Sequence, residues 1–183
     1  MPNYHPYLIS SLPYLRLDMK APIGFKRFLE LCSDSIPKDE LAILENSPDI
    51  IKEQQKFYVK PKPIVKAWRD FEFMLRNELV KIRAKRLHKD ATSYLRAPLD
   101  AEFSSAHTIG EIARQPHPLE TERRLDALRW NKLDELCFGH YFDLEFLFVY
   151  AQKLLILERW DRIRSADKQK LLNGVLEAVA QHL

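Results

Sequence analysis

Hydrophobic residues recur every three or four positions along most of the chain, which is the spacing of one face of an α-helix. The longest such series follows a Lys-Pro-Lys-Pro sequence at 60–63 and is interrupted by neither glycine nor proline. Its members are Ile64, Trp68, Phe71, Leu75, Leu79 and Ile82. The pattern predicts a long helix near 64–87, about 36 Å in length. The spacing of Trp68 and Phe71 predicts that both rings lie in the core.

A second segment, 142–163, is apolar on nearly all sides between 144 and 157, and it predicts a buried central helix. Phe142, Phe146 and Tyr150 have the spacing of a core-facing row. The apolar run is about 14 residues long, short of the roughly 20 that span a bilayer, so no membrane insertion is expected. Ser165 favours a helix N-cap, so a separate last helix is expected to begin there. Its predicted buried residues are Leu172, Val175, Leu176 and Val179.

The remaining patterns predict shorter helices at 25–32, at 37–45, at 99–113 and from 119 to a stop at Gly139. The proline-rich segment 4–22 fits either a short helix or a strand. No stretch alternates apolar and polar residues as a half-buried strand would. We therefore expect an all-α multi-helix bundle of about six to eight helices. It should form a single helical domain over 1–183, with a possible sub-boundary near 60–63.

The composition excludes several classes of protein but does not identify the function. Of 183 residues, 46% are hydrophobic and 30% are charged, which is typical of a globular protein. The four glycines stand far apart, so a P-loop and a dinucleotide-binding fingerprint are both excluded. Cys32 and Cys137 have no histidine cluster beside them, so we expect buried free thiols and a cytoplasmic protein. We find no catalytic signature and expect no cofactor, no metal and no enzymatic activity.

Two groups of polar residues are candidate sites. His107 and Glu111 lie four residues apart on a predicted helix, where both could face one metal ion. A surface pair is the simpler interpretation. His140, Asp143 and Glu145 cluster at the start of the central helix. Because acidic groups stabilise a helix N-terminus, this position accounts for Asp143 without catalysis.

The charge distribution gives the clearest candidate surface. The net charge is only +3, yet segment 60–89 contains ten basic and three acidic residues. This basic helix fits a solvated face, an acidic protein partner or a nucleic acid. Nucleic acid is disfavoured because no recognisable nucleic-acid-binding fold accompanies the charge. The candidate partner-binding residues are Lys66, Arg69, Arg76 and Arg83. The proline-rich N-terminal segment is the alternative docking surface.

Four stretches together carry a family resemblance: 7–15, 25–32, 75–86 and 142–160. They resemble an uncharacterised bacterial family whose genes lie within operons for V/A-type ATPases, at the place where the C-type stalk protein would be expected. The resemblance extends from about 4 to about 163. Its motifs are helical patterns and include no catalytic residues.

The resemblance implies an all-helical stalk or accessory subunit of a rotary ATPase, with a shortened C-type stalk protein that couples the rotor as one option. Its implied partners are other V/A-type ATPase subunits. The implied location is cytoplasmic, with a peripheral position at the inner membrane as a second possibility. The chain is much shorter than a typical three-lobed C-type stalk protein, so a one-to-one equivalence does not follow. An assembly or regulatory protein, and a small helical enzyme, remain the alternatives.

Overall fold

The computed structural model describes residues 3–50, 62–96 and 104–180, and it describes the side chains of all of these except 167–180. These described parts contain seven α-helices and no strand, which confirms the predicted all-α bundle. The helices are α1 (Pro6–Ser11), α2 (Phe25–Ser33), α3 (Lys38–Glu45), α4 (Pro63–Arg86), α5 (Ala106–Ile112), α6 (Pro118–Cys137) and α7 (Leu144–Ala180). Single 3₁₀ turns occur at Ser47–Asp49 and Thr92–Tyr94.

Helix α4 confirms the long helix predicted near 64–87. Proline in its first turn has the backbone angle of a helix and lacks only an N–H that would have no partner there. The helix buries Trp68 and Phe71, whose rings stack with their centroids 5.5 Å apart. Helices α5 and α6 pack against α4. The predicted core role of these two aromatic residues is therefore confirmed.

Helix α7 is 37 residues long and confirms the predicted central helix, but the predicted break at Ser165 is wrong. The Ser165 Oγ donates to the Asp161 carbonyl oxygen at 2.7 Å, a bond to the preceding turn rather than an N-cap. A serine makes this bond without ending a helix. The buried residues predicted for the last helix lie outside the described side chains.

The core is centred on the first half of α7, which packs against α2, α3 and α6. Leu147, Phe148 and Leu154 are completely buried there. The predicted core row on this helix is only partly correct, because Tyr150 is buried and Phe146 is half-buried while Phe142 is exposed. Phe142 precedes the helix, so the helical spacing does not apply to it. No described helix has the length and apolarity that crossing a bilayer requires.

The N-terminal segment lies along α7 and is held to it by hydrogen bonds. The Tyr150 hydroxyl donates to the Pro13 carbonyl oxygen at 2.9 Å, and the Ala21 N–H donates to Asp161 Oδ2 at 2.9 Å. The sequence left a short helix or a strand open for this segment, and the structure shows a short helix, α1.

The shorter predicted helices agree with the structure where it describes them. The helices predicted at 25–32 and 37–45 are α2 and α3. The helix predicted at 99–113 is observed as Ala106–Ile112, with 97–103 outside the described residues. The possible sub-boundary near 60–63 also lies partly outside them. The helix predicted to end at Gly139 is α6, and the positive φ of 85° at Gly139 explains the glycine there.

Candidate functional site

The four predicted partner-binding residues differ in how available they are on α4. Lys66 and Arg83 are exposed, and Arg69 is half-buried. The Arg76 side chain is about half exposed, and its Nε lies 3.8 Å from Glu72 Oε2 in an ion pair within the helix. An acidic partner could therefore reach Lys66 and Arg83 most directly.

The C-terminus of α4 carries the densest positive charge, which we call the basic end: Arg83, Lys85, Arg86, His88 and Lys89. Arg86 donates to the Ala113 carbonyl oxygen. Among the described residues, Arg83, Lys85 and Lys89 form neither an ion pair nor a side-chain hydrogen bond. Cations near a helix C-terminus are stabilised by the helix dipole. The helix dipole can stabilise these cations without a protein partner. All three side chains are nonetheless exposed, so a protein partner could contact them.

Backbone geometry fixes the shape of the basic end. The Lys89 N–H donates to the Ala84 carbonyl oxygen at 3.0 Å, and His88 has a φ of 50°. This is a Schellman-type helix end, in which the residue with left-handed backbone is usually glycine. Because His88 occupies that position, the chain turns away from the helix, and the adjacent Leu87 side chain is 66% exposed.

The start of α4 is also basic, but there the helix dipole does not stabilise the positive charges. Lys62 is the N-cap residue and Lys66 lies one turn further on, while the first turn contains no acidic residue. Cations are unfavourable at a helix N-terminus. Lys66 is exposed and forms no ion pair within the described chain. Its charge therefore stabilises no contact seen in this fold.

The two candidate polar groups have local roles. His107 Nδ1 and Glu111 Oε1 lie 3.9 Å apart, with both side chains mostly exposed, so they form the predicted surface pair. Asp143 Oδ1 accepts a hydrogen bond of 3.2 Å from the Phe146 N–H in the first turn of α7. Asp143 therefore stabilises the N-terminus of α7, as predicted, and the structure adds that it does so through a capping hydrogen bond.

His140 and Glu145 lie beside this cap. Their ligand atoms and those of Asp143 all lie within 4.8 Å of one another. His140 Nδ1 is 2.6 Å from Asp143 Oδ2, a bond that orients the capping carboxylate. Helix capping accounts for Asp143, the hydrogen bond to Asp143 accounts for His140, and an acidic group in the first turn is favourable for Glu145.

Both cysteines are free thiols, but they are not equally buried. Cys32 is fully buried, and burial raises its pKa to about 12. Cys137 is half-buried, and burial likewise raises its pKa. Because the thiolate is the reactive form, neither environment activates the sulfur. The expectation of a buried thiol is confirmed for Cys32 and is only partly correct for Cys137.

An exposed aromatic surface was missed by the sequence reasoning. The His5 N–H donates to the Phe142 carbonyl oxygen at 2.6 Å, which brings the N-terminal segment beside the turn between α6 and α7. Tyr14, Cys137 and Phe146 line one apolar groove at this end. We call the exposed side chains of these two segments the aromatic end: Tyr4, Tyr7, Tyr14, Phe138, Tyr141 and Phe142. Exposed aromatic residues in such number are typical of protein interfaces.

A buried charged network between α4, α6 and α7 was also missed. Arg129 donates from Nε to Glu72 Oε1 at 2.7 Å and from Nη1 to Asp126 Oδ1 at 2.9 Å. Asp126 is completely buried and also accepts bonds from Arg159 and from the Trp160 indole N–H. Burial opposes the charge of Arg129, but the two carboxylates outweigh it and raise the Arg129 pKa. No pattern in the sequence separates these charged residues from solvated ones.

Comparison with known proteins adds one finding. Residues 98–181 match the model of a family described as Protein of unknown function (DUF2764). The match covers a little under half of the chain and includes α5, α6 and α7 but not the basic helix α4. No curated protein and no solved structure matches the chain.

Proposed function

We propose that this protein is a non-catalytic stalk or accessory subunit of a bacterial V/A-type rotary ATPase, and that α4 docks it to an acidic surface of another subunit. The assignment to a rotary ATPase rests on the resemblance of the four helical stretches. The docking role rests on one observation: four exposed cations of α4 and its C-terminal turn, Lys66, Arg83, Lys85 and Lys89, form no ion pair with any described residue. Such charges steer an acidic partner and fix its orientation.

The length of α4 supports a role in contact with a partner. Helix α4 is about 36 Å long, so the cations at its start and those of the basic end are separated by most of the width of a small domain. Lys66 and Arg83 are 17 positions apart, or about 26 Å along the axis. At 3.6 residues per turn these positions also lie about 100° apart around the helix, so a partner that contacted both would have to extend around part of α4. A rigid, two-point attachment suits a subunit that transmits force.

The test is a pull-down with the other soluble V/A-type ATPase subunits at low and high salt. Surface charges act over about 30 Å at 0.01 M salt and over about 3 Å at 1 M. We expect the wild-type protein to bind a subunit at low salt and to lose most of that binding at high salt. The Arg83→Glu/Lys85→Glu variant should bind more weakly, mainly through slower association.

The matched control is Lys26→Glu/Lys38→Glu, which makes the same change in charge at exposed positions outside α4. Circular dichroism should show unchanged helix content in both variants. Failure of the wild type to bind any subunit would contradict the proposal. Equal binding by both variants would exclude the basic end, and a Lys66→Glu variant would then separate the start of α4 from the aromatic end as the docking site. Copurification with the complex at fixed stoichiometry separates a subunit from an assembly factor.

A further inference from the structure

A cavity of about 250 Å³ lies beside the buried charged network, between the Ser47–Asp49 turn, α4, α6 and α7. Its charged lining residues are Glu72, Asp126, Arg76, Arg129, Arg159 and Arg162. The apolar side includes Ile50 and Leu155, and Trp68 also lines the cavity. Two of the lining residues, Arg76 and Arg162, are exposed.

The charges around this cavity do not balance. Four guanidinium groups and two carboxylates line it, and no other acidic side chain does so among the described residues. Asp126 accepts from Arg129, Arg159 and Trp160, and Glu72 Oε1 accepts from Arg129. The second Glu72 oxygen, Oε2, is buried with no hydrogen-bond partner among the described residues and lies 3.8 Å from Arg76 Nε. Arginine does not lose its proton in a protein, so the described lining residues carry two more positive than negative charges, and two of the four guanidinium groups, those of Arg76 and Arg162, are exposed.

The hydrogen-bond donors around the cavity are in excess as well. The Trp68 indole N–H is buried and has no hydrogen-bond partner among the described residues, and Trp68 is 2% exposed. The Arg159 Nε is likewise buried and has no partner in the described part of the chain. Within the described chain Arg162 makes no hydrogen bond, and Arg76 approaches only Glu72, at 3.8 Å. Because an unsatisfied buried donor destabilises the fold, such an excess calls for acceptors supplied from outside.

We propose that this cavity binds a phosphate group. A phosphate carries about −1.5 to −2 charges near pH 7, which matches the surplus of two, whereas a single carboxylate would leave one positive charge unbalanced. Its oxygens are strong acceptors, and guanidinium groups bind them through paired N–H donors. The cavity shares Arg76 with the predicted partner-binding residues of α4 but includes none of Lys66, Arg83, Lys85 and Lys89, so the proposal does not depend on the ATPase proposal.

The phosphate could be the free ion or a phosphate monoester, and both are tested. The protein is titrated with inorganic phosphate and with glycerol 3-phosphate by calorimetry, with sodium chloride at equal ionic strength as the reference. The indole N–H signals are followed by ¹⁵N NMR in the same titrations. The chain has three tryptophans, so Trp68→Phe assigns the relevant signal. We expect a saturable shift of the Trp68 signal and little change at Trp130, which does not line the cavity.

Two variants locate the site. Arg162→Gln should fold normally because Arg162 is exposed and makes no described hydrogen bond. Arg76→Gln removes a donor nearer the network. Each should weaken phosphate binding about tenfold, the effect of losing one charge-assisted hydrogen bond. The control Arg124→Gln removes an exposed arginine paired with Glu120 on α6 and should bind like the wild type.

The outcomes are decisive in either direction. Tighter binding of glycerol 3-phosphate than of inorganic phosphate would identify a monoester as the ligand, and the reverse order would identify the free ion. No saturable binding beyond the chloride reference would overturn the proposal. An equal response from Arg162→Gln, Arg76→Gln and Arg124→Gln would also overturn it, because the binding would then be a general effect of positive charge.

Discussion

Replacing Asp126 with alanine should destabilise the fold more than any change to a surface charge. Asp126 is completely buried and accepts hydrogen bonds from Arg129, Arg159 and Trp160. Without it the Trp160 indole N–H loses its acceptor, which costs about 1–3 kcal/mol. The loss of a charge-assisted bond to Arg129 costs about 1.5–3 kcal/mol more. Arg159 is 38% exposed and can turn to water, so its loss adds little.

The expected total is about 3–5 kcal/mol, the range found when one partner of a buried ion pair is removed. Urea unfolding followed by circular dichroism measures it. With a denaturant slope of about 2 kcal/mol per molar urea, the midpoint should fall by about 2 M. Asp126→Asn keeps an oxygen acceptor for Trp160 and should cost roughly half as much.

The matched control is Glu135→Gln on the same helix. Glu135 is 67% exposed and pairs with Lys132 at 2.8 Å. Exposed pairs contribute little, so this variant should lie within about 0.5 kcal/mol of the wild type. A loss below about 1 kcal/mol for Asp126→Ala would refute the reasoning, since it would mean that water reaches the network and replaces the carboxylate.

Three further predictions test the packing, the thiol and the helix end. Phe28→Ala should cost about 3–5 kcal/mol because that ring is fully buried, whereas Phe146→Ala should cost about 1–2 kcal/mol, and equal losses in urea would contradict the burial difference. Burial raises the Cys32 pKa from 9.0 to about 12, so the folded protein keeps a proton that the unfolded chain loses near pH 9. The free energy of unfolding should keep its full thiol contribution below pH 9 and lose it between pH 9 and pH 12. The loss should be less steep in Cys32→Ala. Identical dependence of the urea midpoint on pH in both proteins would be inconsistent with this. His88→Gly should raise stability by about 0.5–1 kcal/mol because glycine adopts the observed φ of 50° without strain, and a lower urea midpoint would show that His88 makes a compensating contact.

The sequence predicted the helices well because burial follows a regular spacing along each of them. Trp68 and Phe71 are buried as their positions on α4 predict. Ser165 was misread because a serine side chain can bond the preceding turn as well as cap a new helix, and the residue type alone does not separate these cases. Phe142 was misread because its spacing continues the α7 row although it precedes the helix.

The candidate sites were less predictable, for a different physical reason. A charged residue has the same appearance in sequence whether water or another helix surrounds it. Arg129 and Asp126 are three positions apart on α6, which is typical of a surface pair, yet Glu72 from α4 closes a buried network around them. Only the packing of three helices creates the surplus of positive charge at the cavity. The exposed cations of α4, by contrast, were visible from local composition.

The attachment of the N-terminal segment to α7 has a consequence for synthesis on the ribosome. The Ala21 N–H bonds to Asp161, and Arg164 donates to the carbonyl oxygens of Asp18 and Met19. These partners are about 140 residues apart, and at about 5–20 residues per second the ribosome takes roughly 7–28 s to connect them. Until then the first segment has no helix to lie against. A nascent chain arrested before α7 emerges should therefore be cut by protease within 4–22, whereas the released protein should resist.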